Sequence, residues 1–264
     1  MPGFSADPKL PWVPAVCTRA AAFVLCLCLP CAPIPAIASD SYEAGTAALI
    51  NGDYATAWRI LAPLAEAGDA RAQNDVGVMF GRGLGVPQSY ADAAMWIERA
   101  AEQGNPHAQS TLGYMYYRAR GVDRDYAAAA LWSRRSAEQG IASAQSNLGM
   151  LYDKGQGVAQ DFTEAALWYR RAAEQGFPEA QRNLGSMYEH GSGLPADALL
   201  AYAWYGVASA AGDEIALKLR ARMAKGMSPG EIALARELAR DLHQRYAAPV
   251  QEATSPGIFK GLSP

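Results

Sequence analysis

The sequence predicts an all-α fold in which helical hairpins repeat along the chain as an α/α solenoid. Three observations support this prediction: a 36-residue period, an apolar stripe at helical spacing in each half of a copy, and a Gly-rich turn between the halves. A hairpin of this kind leaves an apolar face that it cannot bury alone, so neighbouring copies must stack on one another.

The period appears as columns of matching residues that hold the same step through successive copies. Five columns stay in register, which chance does not produce, and repeats of this length are typical of solenoids. The columns are Gln73, Gln109, Gln145 and Gln181; Gly77, Gly113, Gly149 and Gly185; Phe80, Tyr116, Tyr152 and Tyr188; Trp96, Trp132, Trp168 and Trp204; and Gly68, Gly104, Gly140, Gly176 and Gly212.

Each copy reads as two antiparallel helices. In the second copy, residues 106–118 carry apolar side chains at helical spacing, and Gly113 lies on that stripe. A missing side chain there lets a neighbouring helix approach closely, which can offset the roughly 1 kcal/mol helix penalty of glycine. The second helix, residues 125–139, ends before Gly140, a residue suited to a helix C-terminus.

Charged pairs and two departures from the pattern complete the description of a copy. Arg135 and Glu138 are predicted to form an i,i+3 ion pair, which recurs at equivalent positions of two other copies. Ser89 stands where later copies have aspartate, and Ala119 stands where the other copies have the first turn glycine. The turn at Ala119 is therefore predicted to differ in shape.

The segments that flank the copies fit the same scheme. Residues 41–69 are predicted to be a degenerate opening hairpin, residues 70–213 hold four full repeats, and residues 214–246 form C-terminal capping helices. Ser228 and Glu231 form a capping box at the start of the last helix. That helix is predicted to bury Ile232, Leu234, Leu238 and Leu242. The Pro-, Ser- and Gly-rich residues 247–264 are predicted to be a disordered tail.

The N-terminal 38 residues read as a signal peptide. Ala20–Leu29 is an apolar run of ten residues after a basic n-region, and Ala36-Ile37-Ala38 is a small-x-small cleavage signal. Because ten apolar residues span only about half of a bilayer core as a helix, we expect no integral membrane span. All four cysteines lie inside this segment, so the exported chain would be stabilised without disulfides. We expect export to the periplasm, with secretion as the alternative.

The columns resemble the Sel-1-like repeat (SLR) family, 36-residue relatives of tetratricopeptide repeats. The third copy gives the motif in full, through Leu148-Gly149, Tyr152, Gly155-x-Gly157-Val158, Asp161, Ala165, Trp168 and Ala172–Gly176. The resemblance covers about residues 70–213 and implies a right-handed solenoid. It also implies a protein-interaction role, in which the first helix of each pair lines a concave groove that holds a partner protein.

The remaining composition favours neither catalysis nor nucleic-acid binding. The formal net charge of −3 gives no general electrostatic attraction to nucleic acid. The three histidines, His107, His190 and His243, show neither i,i+4 pairing nor a neighbouring carboxylate cluster suited to a metal. We therefore expect no catalytic residues, no metal site and no cofactor.

The positions that vary between copies are the candidate partner-binding residues on the concave face. Four columns point toward the groove: Asn74/Ser110/Ser146/Arg182, Val78/Tyr114/Met150/Ser186, Gly81/Tyr117/Asp153/Glu189 and Arg82/Arg118/Lys154/His190. The last column is a basic ladder, which favourable interaction with helix C-termini also explains. Two tyrosines beside an arginine are typical interface anchors. The predicted contact residues are Asn74, Arg82, Ser110, Tyr114, Tyr117, Arg118, Met150, Lys154, Arg182 and Glu189.

These features predict a non-enzymatic adaptor or regulator in the bacterial envelope that binds a partner protein. One alternative is an envelope module that binds or hydrolyses cell-wall material, since cysteine-rich secreted members of the family are linked to β-lactams. That link is weakened here because no cysteine remains after residue 38. Another alternative is a secreted factor that acts on a host protein. The sequence leaves the partner and the oligomeric state open.

Overall fold

A computed structural model describes residues 37–246, with side chains from residue 42 onward, and this part of the chain holds helices and no strands. The predicted tail, residues 247–264, lies outside the described residues, as does the predicted signal peptide apart from its last two positions, which begin the first helix. The helices are α1 (Ile37–Ile50), α2 (Tyr54–Glu66), α3 (Ala70–Arg82), α4 (Tyr90–Glu102), α5 (Pro106–Arg118), α6 (Tyr126–Glu138), α7 (Ala142–Lys154), α8 (Phe162–Glu174), α9 (Pro178–His190), α10 (Ala198–Ala210), α11 (Glu214–Ala224) and α12 (Pro229–Tyr246).

Consecutive helices pack as hairpins, and each hairpin packs on the next. The four full repeats are the pairs α3/α4, α5/α6, α7/α8 and α9/α10, and α1/α2 pack as the opening pair. We call the first helix of each repeat helix A and the second helix B. The surface formed by the outward sides of helices A is called the A-helix face. The all-α repeat fold predicted from the sequence is confirmed.

Glycine brings the two helices of each repeat into close contact, as predicted for Gly113. A Cβ atom at Gly77 would lie 2.7 Å from Ile97, and one at Gly113 would lie 2.7 Å from Ser133. At Gly149 it would lie 2.9 Å from the Tyr169 ring. These distances are shorter than any normal carbon contact, so the helix B side chain occupies the space that another residue would need.

The turn after α5 has the same backbone conformation as the other turns, so the predicted difference in shape is wrong. Ala119 is left-handed with φ 56°, compared with 63° at Gly155 and 67° at Gly191. A non-glycine residue in this region costs roughly 1–2 kcal/mol. The repeat frame therefore fixes the turn geometry even where its preferred residue is missing. Ser89 likewise caps α4 in the way that Asp161 caps α8, by accepting backbone N–H bonds.

The glutamine column forms a repeated pair of buried hydrogen bonds. In each repeat this glutamine donates through Nε2 to a carbonyl eight residues earlier, as Gln109 does to Ala101 at 3.1 Å. Its Oε1 accepts a 2.7 Å bond from a second glutamine thirty residues later, as Gln109 does from Gln139. Gln181 lacks this second bond, because Ala211 stands where the other repeats have glutamine, and its Oε1 is buried without a partner.

In the first three repeats, an arginine stacks on the column tryptophan instead of pairing with a glutamate. The guanidinium carbon of Arg135 lies 4.6 Å from the centroid of the Trp132 ring, and Arg171 lies 4.5 Å from Trp168. No Arg135–Glu138 ion pair forms among the described residues. The predicted i,i+3 pairs are therefore wrong: the guanidinium groups stack on the indole rings, and an exposed ion pair stabilises too little to hold them elsewhere.

The last helix, α12, closes the end of the fourth repeat. Val207 stands where the other repeats have the stacking arginine, and Tyr246 of α12 stacks on Trp204 instead, with ring centroids 5.9 Å apart. The helix packs chiefly on α10 and also touches α8. The predicted capping box is present, since Ser228 N donates to Glu231 Oε2 at 2.8 Å and Glu231 N donates to Ser228 Oγ at 3.3 Å.

One predicted core residue of α12 is wrong. Leu234 is 57% exposed, whereas its neighbour Ala235 is fully buried. The closely packed α10 accepts a small side chain at this point and leaves the larger one in solvent. Leu242 is buried as predicted, and Ile232 and Leu238 are partly buried.

We predict that Ala211→Gln stabilises the protein by about 0.5–1.5 kcal/mol, because its side-chain amide would satisfy the buried Gln181 Oε1. The backbone is already suitable, with φ −84° and ψ 7° at Ala211 against φ −84° and ψ 4° at the equivalent Gln175. Thermal unfolding measures the change. Ala211→Glu is the matched control, since a carboxylate of the same length has no proton to donate at neutral pH. Equal melting temperatures for the two variants would contradict the explanation.

Candidate functional site

The ten predicted contact residues all lie on helices A, but two of them are buried. Asn74 is 3% exposed and Ser110 is 7% exposed. Ser110 Oγ lies 3.1 Å from Ser143 Oγ of the following repeat, and Asn74 donates to the buried Asp75. Their predicted place on an accessible surface is therefore wrong.

Two further predicted residues are held in internal ion pairs. Arg182 donates to Asp213 Oδ2 at 2.7 Å, which ties α9 to the N-terminus of α11. Glu189 accepts a hydrogen bond from Arg222 of α11. Both pairs join α9 to α11 or to its N-cap residue Asp213, so these two side chains make structural contacts between helices.

Four of the predicted residues form an aromatic and cationic group, which we call the Tyr–cation cluster: Tyr114, Tyr117, Arg118 and Lys154. Arg118 Nε donates to the Tyr114 hydroxyl at 3.0 Å, and this bond raises the pKa of Arg118. Lys154 Nζ donates to the Tyr117 hydroxyl at 3.0 Å across the boundary between two repeats. Each cation thus holds one tyrosine in place.

The cluster is exposed enough to contact another molecule. Arg118 and Lys154 are exposed, and the two tyrosines are partly buried. The Tyr117 ring also packs against Tyr126 at the start of α6, with centroids 5.8 Å apart. The cluster therefore offers ring surface and positive charge in a fixed arrangement, which lowers the entropy cost of binding.

The basic ladder along the ends of helices A is only partly available to a partner. Arg82 is half-buried, and burial lowers its pKa. His190 Nδ1 lies 2.8 Å from the backbone carbonyl of Ser186 in its own helix, so this ring donates to the helix end. Met150 is partly buried against the core of the third and fourth repeats. Arg118, Lys154 and His190 are the exposed members of the ladder, and the His190 ring bonds its own helix.

Two helix B tyrosines extend through the fold to the A-helix face. The Tyr205 ring passes Gly185, where a Cβ atom would lie 2.9 Å away, and its hydroxyl donates to Glu189 Oε2 at 2.8 Å. Burial and the Glu189 carboxylate raise the pKa of this phenol. Tyr205, Glu189 and Arg222 thus form a complete chain of hydrogen bonds at the fourth repeat.

The equivalent residues of the third repeat are left open. The Tyr169 ring passes Gly149 in the same way, and burial followed by the Asp153 carboxylate raises the pKa of its phenol. Neither the Tyr169 hydroxyl nor the Asp153 carboxylate has a hydrogen-bond partner among the described residues. Burial raises the pKa of Asp153. An unsatisfied carboxylate therefore lies on the A-helix face beside a phenol.

Comparison with known proteins identifies the repeat. The Sel1 repeat model matches four consecutive segments, residues 70–105, 106–141, 142–177 and 178–213. The chain belongs to the Sel1 repeat family. Sel1 repeat solenoids are generally protein-interaction folds and are typically not catalytic. The match confirms the resemblance seen in the sequence.

Two solved structures have the same fold. One is c5321, a protective antigen of uropathogenic Escherichia coli strains with an SLR fold, at TM-score 0.74 and 28% identity. The match covers 86% of this chain but 49% of c5321, so this chain spans about half of that protein. The other is a Sel1 repeat protein from Oxalobacter formigenes, at TM-score 0.63 and 27% identity over 83% of this chain and 97% of that one. No curated protein is significantly similar to the sequence.

Sequence reasoning missed the helix B part of the Sel1 groove. Asp153 lies in a predicted column, but Tyr169 and Tyr205 belong to helices B and fall outside the columns that the repeat pattern assigns to the groove. A signal was present: the residues that follow each column glycine by twenty positions are Ile97, Ser133, Tyr169 and Tyr205. That column changes from copy to copy, unlike the packing columns around it.

A second concave region lies between α10, α11 and α12, beyond the last Sel1 repeat. This cavity of about 450 Å³ has an apolar floor that includes Tyr202, Gly206 and Val207. Its rim includes Arg220, Arg236 and Arg240, and no acidic residue lines it. The Arg220 guanidinium lies 5.9 Å from the centroid of the Tyr202 ring. The cavity combines apolar surface with positive charge.

Three further features of the described residues concern a serine motif, possible metal ligands and membrane-spanning helices. Residues 226–230 have the letters G-x-S-x-G, but the Ser228 hydroxyl donates to Glu231 Oε2 at 2.7 Å and caps a helix. From residue 42 to residue 246, no three His, Cys, Asp or Glu side chains gather as metal ligands. Over the same described range, no helix is both long and apolar enough to cross a membrane.

We predict that Asp153→Asn stabilises the protein at neutral pH. The raised pKa means that the folded state holds the Asp153 proton more tightly than the unfolded state, so this group favours folding at low pH. That contribution is lost as the pH rises from the unfolded pKa through the folded one. The asparagine variant should therefore melt higher than the wild type at pH 7, with a smaller difference at pH 3.

Glu189→Gln is the matched control for this experiment. It changes the equivalent carboxylate of the fourth repeat, which is satisfied by Tyr205 and Arg222, so we expect a loss of about 1–3 kcal/mol at pH 7. Thermal melts across pH 3–8 distinguish the two carboxylates. A loss of stability at pH 7 in both variants would contradict the open state of Asp153.

Proposed function

We propose that this Sel1 repeat protein is a non-enzymatic adaptor or regulator of the bacterial envelope that binds a partner protein through the A-helix face. The observation that carries the proposal is the Tyr–cation cluster. Its four side chains occupy positions where the repeats carry different residues, while the glycine, glutamine and tryptophan columns stay constant. Aromatic and arginine side chains are enriched among the residues that dominate binding energy at interfaces.

The envelope location rests on the N-terminal sequence. The apolar run Ala20–Leu29 and the small residues Ala36 and Ala38 favour export by a signal peptide, with the periplasm as the proposed destination. Secretion, followed by action on a host protein, is the alternative that the same signal peptide would serve. The absence of cysteine after residue 38 is compatible with both locations.

A crosslinking capture from the envelope fraction of the native organism tests the proposal. We expect the wild type to capture a specific protein, and the variant with Tyr114, Tyr117 and Arg118 changed to alanine to lose it. Each removed side chain belongs to the cluster, and anchor residues of this kind typically cost about 2 kcal/mol or more on truncation. The amount of captured protein is quantified by mass spectrometry.

The control is a variant with three alanine substitutions on helices B: Leu131, Glu138 and Glu174, which are exposed. It should capture the partner as the wild type does, and both variants should melt cooperatively. Retention of every captured protein by a folded cluster variant would contradict the proposed binding face. An equal loss of captured partner in the control variant would also contradict the proposed binding face.

A second candidate function, binding of a small ligand, is favoured by the cavity between α10 and α12. Its apolar floor and arginine rim suit an anion that carries an apolar group. Arg220 and Arg236 have no ion pair with any described acidic residue, so their charge is available at the rim. This candidate retains the ligand-binding part of the alternative drawn from the sequence.

We predict that octanoate binds this cavity about ten-fold more tightly than octylammonium, because the chains are the same length and only the head charge differs. Isothermal titration calorimetry measures both. Arg220→Gln with Arg236→Gln should abolish the preference, whereas Arg59→Gln with Arg124→Gln, two arginines outside the cavity, should leave it unchanged. Equal binding of the two probes to the wild type would exclude an anion site here.

A further inference from the structure

We propose that Asp153 and Tyr169 receive an arginine side chain of the bound protein. This inference rests on the proposed function, since it names the chemistry of the partner at the A-helix face. In the third repeat, the Asp153 carboxylate and the Tyr169 phenol have no hydrogen-bond partner among the described residues. In the fourth repeat, an arginine of the chain itself binds the equivalent carboxylate.

The fourth repeat shows how the chain itself fills this site. Tyr205 reaches the A-helix face past Gly185 and donates to one oxygen of Glu189 at 2.8 Å. Arg222, from the next helix along, donates to the other oxygen. The Glu189 carboxylate therefore accepts hydrogen bonds from a phenol of α10 and a guanidinium of α11, and its side chain is 19% exposed.

A shift of 36 residues moves this trio onto the third repeat with one member missing. Tyr205 corresponds to Tyr169, Glu189 corresponds to Asp153, and Arg222 corresponds to Ser186. The serine side chain is too short to replace a guanidinium. The Tyr169 ring lies against Gly149 as Tyr205 lies against Gly185, so the phenol is held in the equivalent place. The third repeat therefore has the carboxylate and the phenol of this site but no guanidinium equivalent to that of Arg222.

The surrounding charges leave this position open to a cation. Glu179 is a second carboxylate whose charge acts on the Tyr169 phenol. Arg182 also acts on that phenol, but Asp213 and Glu179 neutralise it through contacts of 2.7 Å and 3.5 Å. The charge of Lys154 acts on Asp153, but its Nζ donates to the Tyr117 hydroxyl at 3.0 Å and not to the Asp153 carboxylate. No neighbouring cation donates a hydrogen bond to the Asp153 carboxylate among the described residues.

An arginine fits the unsatisfied groups better than a lysine does. Its planar guanidinium carries five N–H donors in a fixed fork and can bond a carboxylate and a second oxygen together. The Asp153 carboxylate and the Tyr169 hydroxyl oxygen supply those acceptors. The Tyr–cation cluster adjoins the site through Lys154, which follows Asp153 in α7 and donates to the Tyr117 hydroxyl at 3.0 Å. An arginine next to an apolar or aromatic residue is thus the expected partner motif.

The first test installs the missing cation in the chain. Ser186→Arg should raise the melting temperature by about 2–4 °C, because the new guanidinium would pair with Asp153 as Arg222 pairs with Glu189. In the Asp153→Asn background the same substitution should give no gain. A gain that survives in that background would come from Glu189, three residues on, and would overturn the inference.

The second test uses two peptides as probes of the wild-type protein: Ac-Ala-Arg-Ala-NH2 and its citrulline counterpart, which has the same shape without the charge. Titration by NMR should show the arginine peptide binding about ten-fold more tightly. The preference should disappear in Asp153→Asn and in Ser186→Arg. Equal binding of both peptides to the wild type would overturn the inference.

The capture experiment separates this inference from the proposed function. We expect Asp153→Asn and Ser186→Arg each to reduce partner capture about ten-fold or more, as expected for loss of a charged hydrogen bond. If the Tyr114/Tyr117/Arg118 variant loses the partner while Asp153→Asn captures it normally, the inference fails and the proposed function stands. If none of these folded variants loses the partner, both fail.

Discussion

The close approach of two helices at a column glycine is the constraint on which the rest of the structure depends. Gly77, Gly113, Gly149 and Gly185 leave room for one helix B side chain, and that side chain fixes the distance between the helices of its repeat. Once this distance is set, the turn geometry follows, even at Ala119 where it costs conformational energy. The stacking of one repeat on the next then places the glutamine pairs and the tryptophan–arginine pairs in register.

The sequence predicted the fold and much of its detail because those features recur at one spacing. The period, the glycine contacts and the capping box at Ser228 depend on local pattern and were read correctly. Errors arose where a tertiary neighbour decides the outcome. Leu234 lies on the apolar stripe of α12 but outside its contact with α10. Ser110 is buried against Ser143 of the following repeat, and Asn74 is buried beside Asp75.

The candidate site was predictable only in part for the same reason. Tyr117 and Lys154 could be assigned to one face from their columns, but their pairing across 37 residues follows from the stacking distance between repeats. The sequence predicts a glutamate as the partner of Arg135, because helical spacing does not reveal that the Trp132 ring offers a surface for the guanidinium. The repeat pattern could not assign Tyr169 to the site, because its backbone belongs to helix B while the charges that act on its hydroxyl lie on helices A.

The passage of Tyr169 and Tyr205 beside their glycines has a consequence for how recognition could change in this protein. At each column glycine, a single helix B side chain separates the interior of the repeat from the A-helix face. A buried residue of helix B therefore also determines the chemistry of the binding surface. This position holds three different side chains in the four repeats: Ile97, Ser133, and tyrosine at both 169 and 205. Selection, or an engineer, could therefore alter partner choice repeat by repeat from inside the solenoid and leave every exposed side chain untouched.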